Sequence, residues 1–248
     1  MLSFRVSLFS LSVLLCQSAL TTGIHPLPLG LANWQDNNGG DYFSEVFPTS
    51  AGYLIWSRFP IKVYIEQEPT HITNGSALDK RWQSWNRLTR ASLENWSLYL
   101  PLSVVAEPES SDIEILRKHP PASPTRARAG QTTYCFYNFK DNTLMQKMTI
   151  KISPDLAQYS LQSTVEHELG HALGIWGHSD MPSDRMYASQ SPAAQFISKR
   201  DINTLKKIYQ QSTKLGWTVS YSSQDSTKIN SLTGSWSEKP KSSSSCFQ

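Results

Sequence analysis

Three of the six histidines in the 248-residue sequence stand close together, in the stretch VEHELGHALGIWGHSD at residues 165–180. His167 and His171 are four residues apart, and on a helix this spacing brings the two imidazoles to within about 40° of each other, one turn apart. Two imidazoles on one helix face can bind a single metal ion. The spacing therefore predicts a metal site.

The neighbouring residues indicate that the ion is a catalytic zinc. A catalytic zinc has three protein ligands and one open position for water. His178 can supply the third ligand if the helix ends at Gly174 and the chain turns back. Three neutral imidazoles leave the site positively charged, which lowers the pKa of bound water from 15.7 to about 7. Glu168 lies beside the first ligand, where it can act as the general base toward that water.

These motifs resemble a known family. The stretch HELGHALGIWGHS at residues 167–179, followed by DRMY at residues 184–187, is similar to the metzincin clan of zinc endopeptidases. Within the clan it resembles the matrixin-like branch, especially the predicted zinc-dependent proteases of cyanobacteria. The order of the predicted strands and helices also matches the catalytic domain of the clan, over about residues 52–217.

The resemblance implies a role for each residue of the motifs. It makes three histidines the ligands of one catalytic Zn²⁺: His167, His171 and His178. It makes Glu168 the general base. Met186 would form an apolar floor beneath the metal, and Tyr187 would lie beside the pocket that receives the residue after the scissile bond.

The spacing of the third histidine departs from the pattern of the clan. The clan places its third ligand three residues after the glycine that ends the helix, here Gly174. In this chain Gly177 holds that position and His178 follows it. We expect the turn to absorb the extra residue at Gly177, because glycine tolerates a positive φ. Asp180 is an alternative oxygen ligand.

The usual latency device of matrixins is missing from this sequence. Matrixins are often kept latent by a pro-segment cysteine on the zinc, but no cysteine lies between residues 17 and 134. Asp36 or Asp41 could approach the metal as a carboxylate, although a solvated loop acid is the simpler interpretation. Residues 23–51, which contain both, are rich in Gly, Pro, Asn and Asp and are interpreted as a leader or short pro-segment.

Hydrophobic periodicity predicts the elements that position the motif. Alternating apolar residues predict a first strand at residues 59–66, and helical apolar spacing predicts a long helix at residues 77–98. Further strands are predicted at four ranges: residues 102–106, 113–116, 131–137 and 147–152. The zinc-binding helix follows residue 154 and ends at Gly174.

These elements predict an α+β fold of the metzincin type. A twisted mixed five-stranded sheet would carry two long helices, and a small C-terminal subdomain would end in a helix. That last helix begins at Ser198, where Asp201 completes a variant capping box. In the clan, the fourth strand binds an extended substrate antiparallel to itself. The resemblance therefore implies a polypeptide substrate bound along residues 131–137.

The two ends of the chain carry separate predictions. Residues 1–22 have the layout of a secretory signal peptide, in which Arg5 precedes an apolar run and small residues follow it. The apolar run is too short to span a bilayer, so a permanent membrane anchor is not expected. Removal of the signal would leave a monomeric, secreted or periplasmic protein with no stable membrane insertion. Cys135 and Cys246 could then form one disulfide or remain free thiols. Residues 218–248 are Ser-rich and predicted to be disordered.

Two other functions remain open at this point. The same fold could carry a non-catalytic zinc-containing binding module, although a structural site needs neither an open position nor a base such as Glu168. A metallohydrolase of small peptides or amides is the other alternative. The formal net charge of +3, with no basic block, gives no case for nucleic-acid binding. We favour a secreted zinc endopeptidase that hydrolyses internal peptide bonds of extended polypeptides.

Overall fold

A mixed β-sheet organises the domain in the computed structural model, which describes residues 22–36, 38–121, 128–139, 141–189, 191–218 and 233–235. The sheet has the strand order β2-β1-β3-β5-β4-β6. The strands are β1 Ile61–Ile65, β2 Leu102–Val105, β3 Ile113–Leu116, β4 Gly130–Asn138, β5 Leu144–Ile152 and β6 Thr233–Ser235. The first five confirm the predicted strands, while the predicted signal peptide and most of the predicted tail lie outside the described residues.

Strand direction within the sheet is parallel on one side and antiparallel on the other. The β2, β1, β3 and β5 strands run parallel to one another. The β4 strand is antiparallel to β5, and the short β6 strand is antiparallel to β4. The burial of β1 follows the alternation from which the strand was predicted. Ile61, Val63 and Ile65 are fully buried, and the two residues between them are not.

Two long helices pack together against the sheet. The α2 helix, Ala77–Ser97, begins at a Ser76 cap and buries Trp85 and Trp96. The α3 helix, Gln158–Leu173, contains the histidine motif and lies against β4 and β5. The indole of Trp96 donates a hydrogen bond to the carbonyl of Glu166 at 3.0 Å, so the tryptophan joins the two helices. The α+β fold predicted for a metzincin-like domain is thus confirmed.

The last long helix carries the predicted capping box. The α4 helix, Lys199–Tyr209, begins after Ser198, whose hydroxyl accepts a hydrogen bond from the backbone N–H of Asp201 at 3.0 Å. The carboxylate of Asp201 in turn accepts one from the backbone N–H of Ser198 at 2.7 Å. Asp201 is fully buried, and this places its carboxylate inside the domain rather than at a solvated helix end.

The segment before β1 packs onto the domain as well. It contains the short α1 helix, Leu29–Asn33, and one turn of 3₁₀-helix, Phe43–Glu45. Its side chains that are buried in the core include Leu31, Tyr42 and Val46. The indole of Trp34 donates a hydrogen bond to the Oδ1 atom of Asn203 on α4 at 2.8 Å. The N-terminal segment therefore shares one hydrophobic core with the rest of the chain.

No helix in the described ranges is both long and apolar enough to cross a bilayer.

Candidate metal centre and catalytic site

The structure brings the three predicted histidines together. Potential ligand atoms of His167, His171 and His178 all lie within 4.8 Å of one another. The first two stand one turn apart on α3, and the third follows the turn after Gly174. His171 is almost fully buried, whereas His167 and His178 keep some solvent exposure. The cluster therefore faces an accessible surface at the carboxyl-terminal end of α3.

Backbone carbonyls orient two of the three rings. The Nδ1 atom of His167 donates to the carbonyl of Arg185 at 2.9 Å, and Nδ1 of His171 donates to the carbonyl of Ile175 at 2.7 Å. A histidine whose Nδ1 carries the proton presents its Nε2 lone pair to a metal. Burial lowers the pKa of His167 to about 4, although its bond to Arg185 opposes this effect. Neutral imidazoles of this kind fit a zinc ion.

Glu168 lies between the two histidines of α3 and against β4. Its Oε2 atom accepts a hydrogen bond from the hydroxyl of Thr132 at 2.7 Å. The contact with β4 is close, because a Cβ on Gly130 would stand only 2.7 Å from Cγ of Glu168. Burial raises the pKa of Glu168 to about 7, and the bond from Thr132 opposes that rise. The carboxylate is thus held against β4.

The turn after α3 begins at Gly174 as predicted, but Gly177 does not have the backbone conformation that was expected for it. Gly174 has a φ of 130°, which confirms that the helix ends in a conformation suited to glycine. The expectation of a positive φ at Gly177 is wrong, because Gly177 is not among the positive-φ residues. A Cβ there would instead overlap the backbone carbonyl of Glu45. Glycine is needed at this position because another backbone lies against it.

Met186 lies directly beneath the zinc-binding helix. It is fully buried, and its sulfur occupies the space that a Cβ on Gly170 would need. The carbonyl of Met186 accepts a hydrogen bond from the N–H of Ser179 at 2.9 Å, which ties this turn to the residue after His178. Tyr187 is partly exposed and forms a parallel bridge with Ser179.

A buried ion pair that the sequence analysis missed joins α3 to the turn containing Met186. The Nε atom of Arg185 lies 2.8 Å from the carboxylate of Glu166, and both side chains are nearly inaccessible. Glu166 also accepts a hydrogen bond from Asn95 on α2 at 2.7 Å. Because the carbonyl of Arg185 orients His167, this pair supports the metal centre. Glu166 is part of the VEHELGH motif, but only the fold shows which arginine it contacts.

Three acidic residues considered as metal-site candidates have other partners. Asp180 forms an ion pair with Arg200 at 3.0 Å. Asp41 forms an ion pair with Lys207 on α4 at 2.6 Å. Asp36 accepts a hydrogen bond from the backbone N–H of Asn38. None of the three belongs to the histidine cluster formed by the described residues.

The strand expected to bind substrate already has a neighbour on each side. Residues 133–135 of β4 pair with β6, with Thr133 opposite Ser235 and Cys135 opposite Thr233. This pairing lies next to Thr132, which contacts Glu168. Cys135 is disulfide-bonded, and Cys246 lies outside the described residues. The chain's own C-terminal segment therefore covers part of the β4 edge.

Comparison with known proteins agrees with the geometry. A model of the matrixin peptidase family matches residues 70–210, which is more than half of the chain and includes the three histidines, Glu168 and Met186. No curated relative matches the chain at a significant level. The matched range runs from just before α2 to just after α4. The chain therefore belongs to the matrixin family of zinc metallopeptidases.

Proposed function

We propose that the protein is a secreted endopeptidase that hydrolyses internal peptide bonds of extended polypeptides, with zinc held by His167, His171 and His178. The observation that carries this proposal is the position of Glu168. A buried carboxylate with a pKa raised to about 7 lies on the same helix as two of the ligands. A purely structural zinc site has no need of such a group. Zinc, when bound, supplies a Lewis acid and lowers the pKa of a coordinated water.

Glu168 performs the proton transfers in this proposal. Its carboxylate accepts the proton of the attacking water and then donates it to the amine nitrogen that leaves. Thr132 holds Oε2 at 2.7 Å, which orients the carboxylate toward β4. Met186 supports the helix from below.

The substrate is an extended polypeptide that adds as a strand along β4. Strand addition recognises the backbone, so it favours flexible chains over folded ones. Thr132 on β4 donates a hydrogen bond to the carboxylate of Glu168, and this contact supports a scissile bond near this part of the strand. Pairing with β6 covers residues 133–135, so a substrate that uses this edge must displace β6.

Secretion is part of the proposal because of the N-terminal sequence. Residues 1–22 have the composition of a signal peptide. A disulfide at Cys135 fits an oxidising compartment. N-terminal sequencing of protein recovered from the medium or periplasm tests this directly, and a mature chain that still begins at Met1 would contradict secretion.

Degradation of an unfolded protein tests the activity. Purified protein should cleave an unfolded polypeptide at internal bonds, lose that activity in a zinc chelator and regain it when zinc is restored. Peptides of increasing length distinguish the alternatives. A rate that rises with length over about six residues supports strand addition along β4. Activity confined to dipeptides would support the small-amide hydrolase, and stoichiometric zinc with no cleavage would support the binding module.

A further inference from the structure

The segment before β1 contacts the support of the metal centre at two separate places. We call residues 41–47 of this segment the strap. One contact leads through Asp201 to His167. The other holds the turn between Gly174 and His178. Each can be followed through individual hydrogen bonds.

The first contact begins at Tyr42, which is nearly inaccessible to solvent. Its hydroxyl donates to Oδ1 of Asp201 at 2.6 Å, and its backbone N–H donates to the hydroxyl of Thr204 at 3.0 Å. The other carboxylate oxygen of Asp201 accepts the backbone N–H of Arg185 at 2.9 Å. The carbonyl of Arg185 then accepts Nδ1 of His167 at 2.9 Å. A continuous chain of hydrogen bonds thus joins the strap to the first ligand.

The second contact is a short antiparallel pairing of two backbones. Val46 pairs with Gly177, and the N–H of Phe47 donates to the carbonyl of Trp176 at 3.0 Å. The backbone of Glu45 lies so close to Gly177 that a Cβ on the glycine would overlap its carbonyl. The residue after Gly177 is the third ligand, His178. The strap therefore fixes the last backbone bonds before that histidine.

This pairing restrains the turn from Gly174 to His178, which is one residue longer than the clan pattern. The turn reaches His178 in four residues after Gly174, and without an external partner the added residue would increase its conformational freedom. Ile175, in the same turn, accepts the bond from Nδ1 of His171. A strap that holds Trp176 and Gly177 therefore restrains the backbone that orients His171 as well as His178.

We infer that the strap is a positioning element of the zinc site and stays on the active enzyme, instead of being removed as a pro-segment. This inference rests on the proposed zinc site of the three histidines. The buried Tyr42 and Val46 also make the segment part of the common core. The strap touches none of the reacting atoms. Its effect is on how firmly the histidines hold the ion.

Three single variants of the whole protein test the inference. Tyr42→Phe removes the hydroxyl bond to Asp201 and keeps the ring. Gly177→Ala introduces a methyl group that displaces the strap from the turn. Trp34→Phe is the matched control, because it removes a different hydrogen bond from the same segment to α4, the one to Asn203 at 2.8 Å. The control bond leads to neither Asp201 nor the turn.

Zinc affinity and the rate of zinc loss to a chelator are the readouts, measured well below each unfolding temperature. Loss of a group that orients a metal ligand lowers metal affinity by about 10- to 100-fold. We expect about tenfold weaker zinc binding for Gly177→Ala, a few-fold weaker binding for Tyr42→Phe, and binding within about twofold of the parent for Trp34→Phe. Unfolding temperatures of Tyr42→Phe and Trp34→Phe should fall by similar amounts, which separates positioning from general stability.

Cobalt substitution and N-terminal sequencing supply independent readouts. The visible spectrum of the cobalt-loaded protein should change in Gly177→Ala and remain the same in Trp34→Phe. N-terminal sequencing of the active species should find residues 41–47 still attached. Parent-like zinc binding in both Tyr42→Phe and Gly177→Ala, or an active species that begins after residue 47, would overturn the inference. A parent protein that binds no zinc would overturn both this inference and the proposed function. A parent protein that binds zinc and cleaves polypeptides, with unchanged zinc binding in Tyr42→Phe and Gly177→Ala, would overturn this inference alone.

Discussion

The Nδ1 atom of His167 lies 2.9 Å from the carbonyl oxygen of Arg185. This contact joins His167, the proposed first zinc ligand on α3, to the turn that carries Met186. The side chain of the same arginine forms the buried ion pair with Glu166, one residue before His167. Arg185 therefore contacts α3 through both its backbone and its side chain. The two contacts hold Arg185 beside His167, the proposed first ligand.

Breaking the buried ion pair should strongly destabilise the domain. Removing one partner of a buried pair leaves the other charge without compensation, at a cost of about 3–5 kcal/mol. We expect Glu166→Ala to lower the free energy of unfolding by about this amount, measured by urea denaturation. Glu114→Ala is the control, because its ion pair with Lys147 is more exposed. Equal losses in the two variants would contradict the special role of the Arg185 pair.

Zinc-free protein should lose stability as the pH falls. The pKa of His167 is lowered to about 4 in the folded protein, and burial also lowers the pKa of His171. An unfolded histidine titrates near 6.5, so between about pH 6.5 and pH 4 the unfolded chain binds protons that the folded chain does not. Loss of this difference should lower stability by about 3 kcal/mol for His167, with a further loss from His171. Glu168, whose pKa is raised to about 7, binds a proton in the folded protein over the same range and offsets part of the loss.

Urea denaturation of the metal-free protein at several pH values measures this loss. His167→Gln should weaken the dependence, because one of the titrating groups is then absent. The same pH dependence in the parent and in His167→Gln would show that the folded His167 is not held neutral.

The packing of Met186 beneath α3 can be tested with a compensating pair. A methyl group in Gly170→Ala would overlap the sulfur of Met186, and overpacking of a rigid core costs about 1–3 kcal/mol. Met186→Ala alone leaves a cavity and costs about 2–5 kcal/mol. We expect the double variant to be more stable than the sum of the two losses predicts. Strict additivity in thermal unfolding would indicate that the two residues do not share this space.

Removal of the segment that pairs with β4 should increase activity toward extended polypeptides. A chain that ends at residue 218 lacks β6, so a substrate no longer has to displace it from residues 133–135. We expect KM for an unfolded protein substrate to fall by about threefold to tenfold with little change in kcat, because the effect is on binding. Full-length Cys246→Ser is the matched control, since truncation also removes this cysteine. An unchanged KM in the truncated chain would show that β6 does not compete with substrate.

The sequence predicted the elements and the histidine cluster because both depend on local spacing. The alternation at Ile61, Val63 and Ile65 and the four-residue interval between His167 and His171 are visible without the fold. The same holds for the capping box at Ser198, which involves residues three apart.

Contacts between distant residues could not be predicted in this way. The ion pair of Glu166 with Arg185 and the bond of Tyr42 to Asp201 join residues whose partners only tertiary structure selects. The buried residues of the N-terminal segment have no periodicity, so its docking was not visible either. Gly177 was recognised as unusual, but its physical reason, the carbonyl of Glu45, lies more than a hundred residues away along the chain.

The most direct test of the central claim is single-turnover cleavage of an unfolded polypeptide by the parent protein and by Glu168→Gln, with zinc content measured in the same samples. Glutamine keeps the shape of the side chain and cannot accept the proton. We expect one zinc per chain in both proteins and a rate at least about 100-fold lower in the variant. A zinc-loaded variant that cleaves at the parent rate would contradict the assignment of Glu168 as the catalytic base.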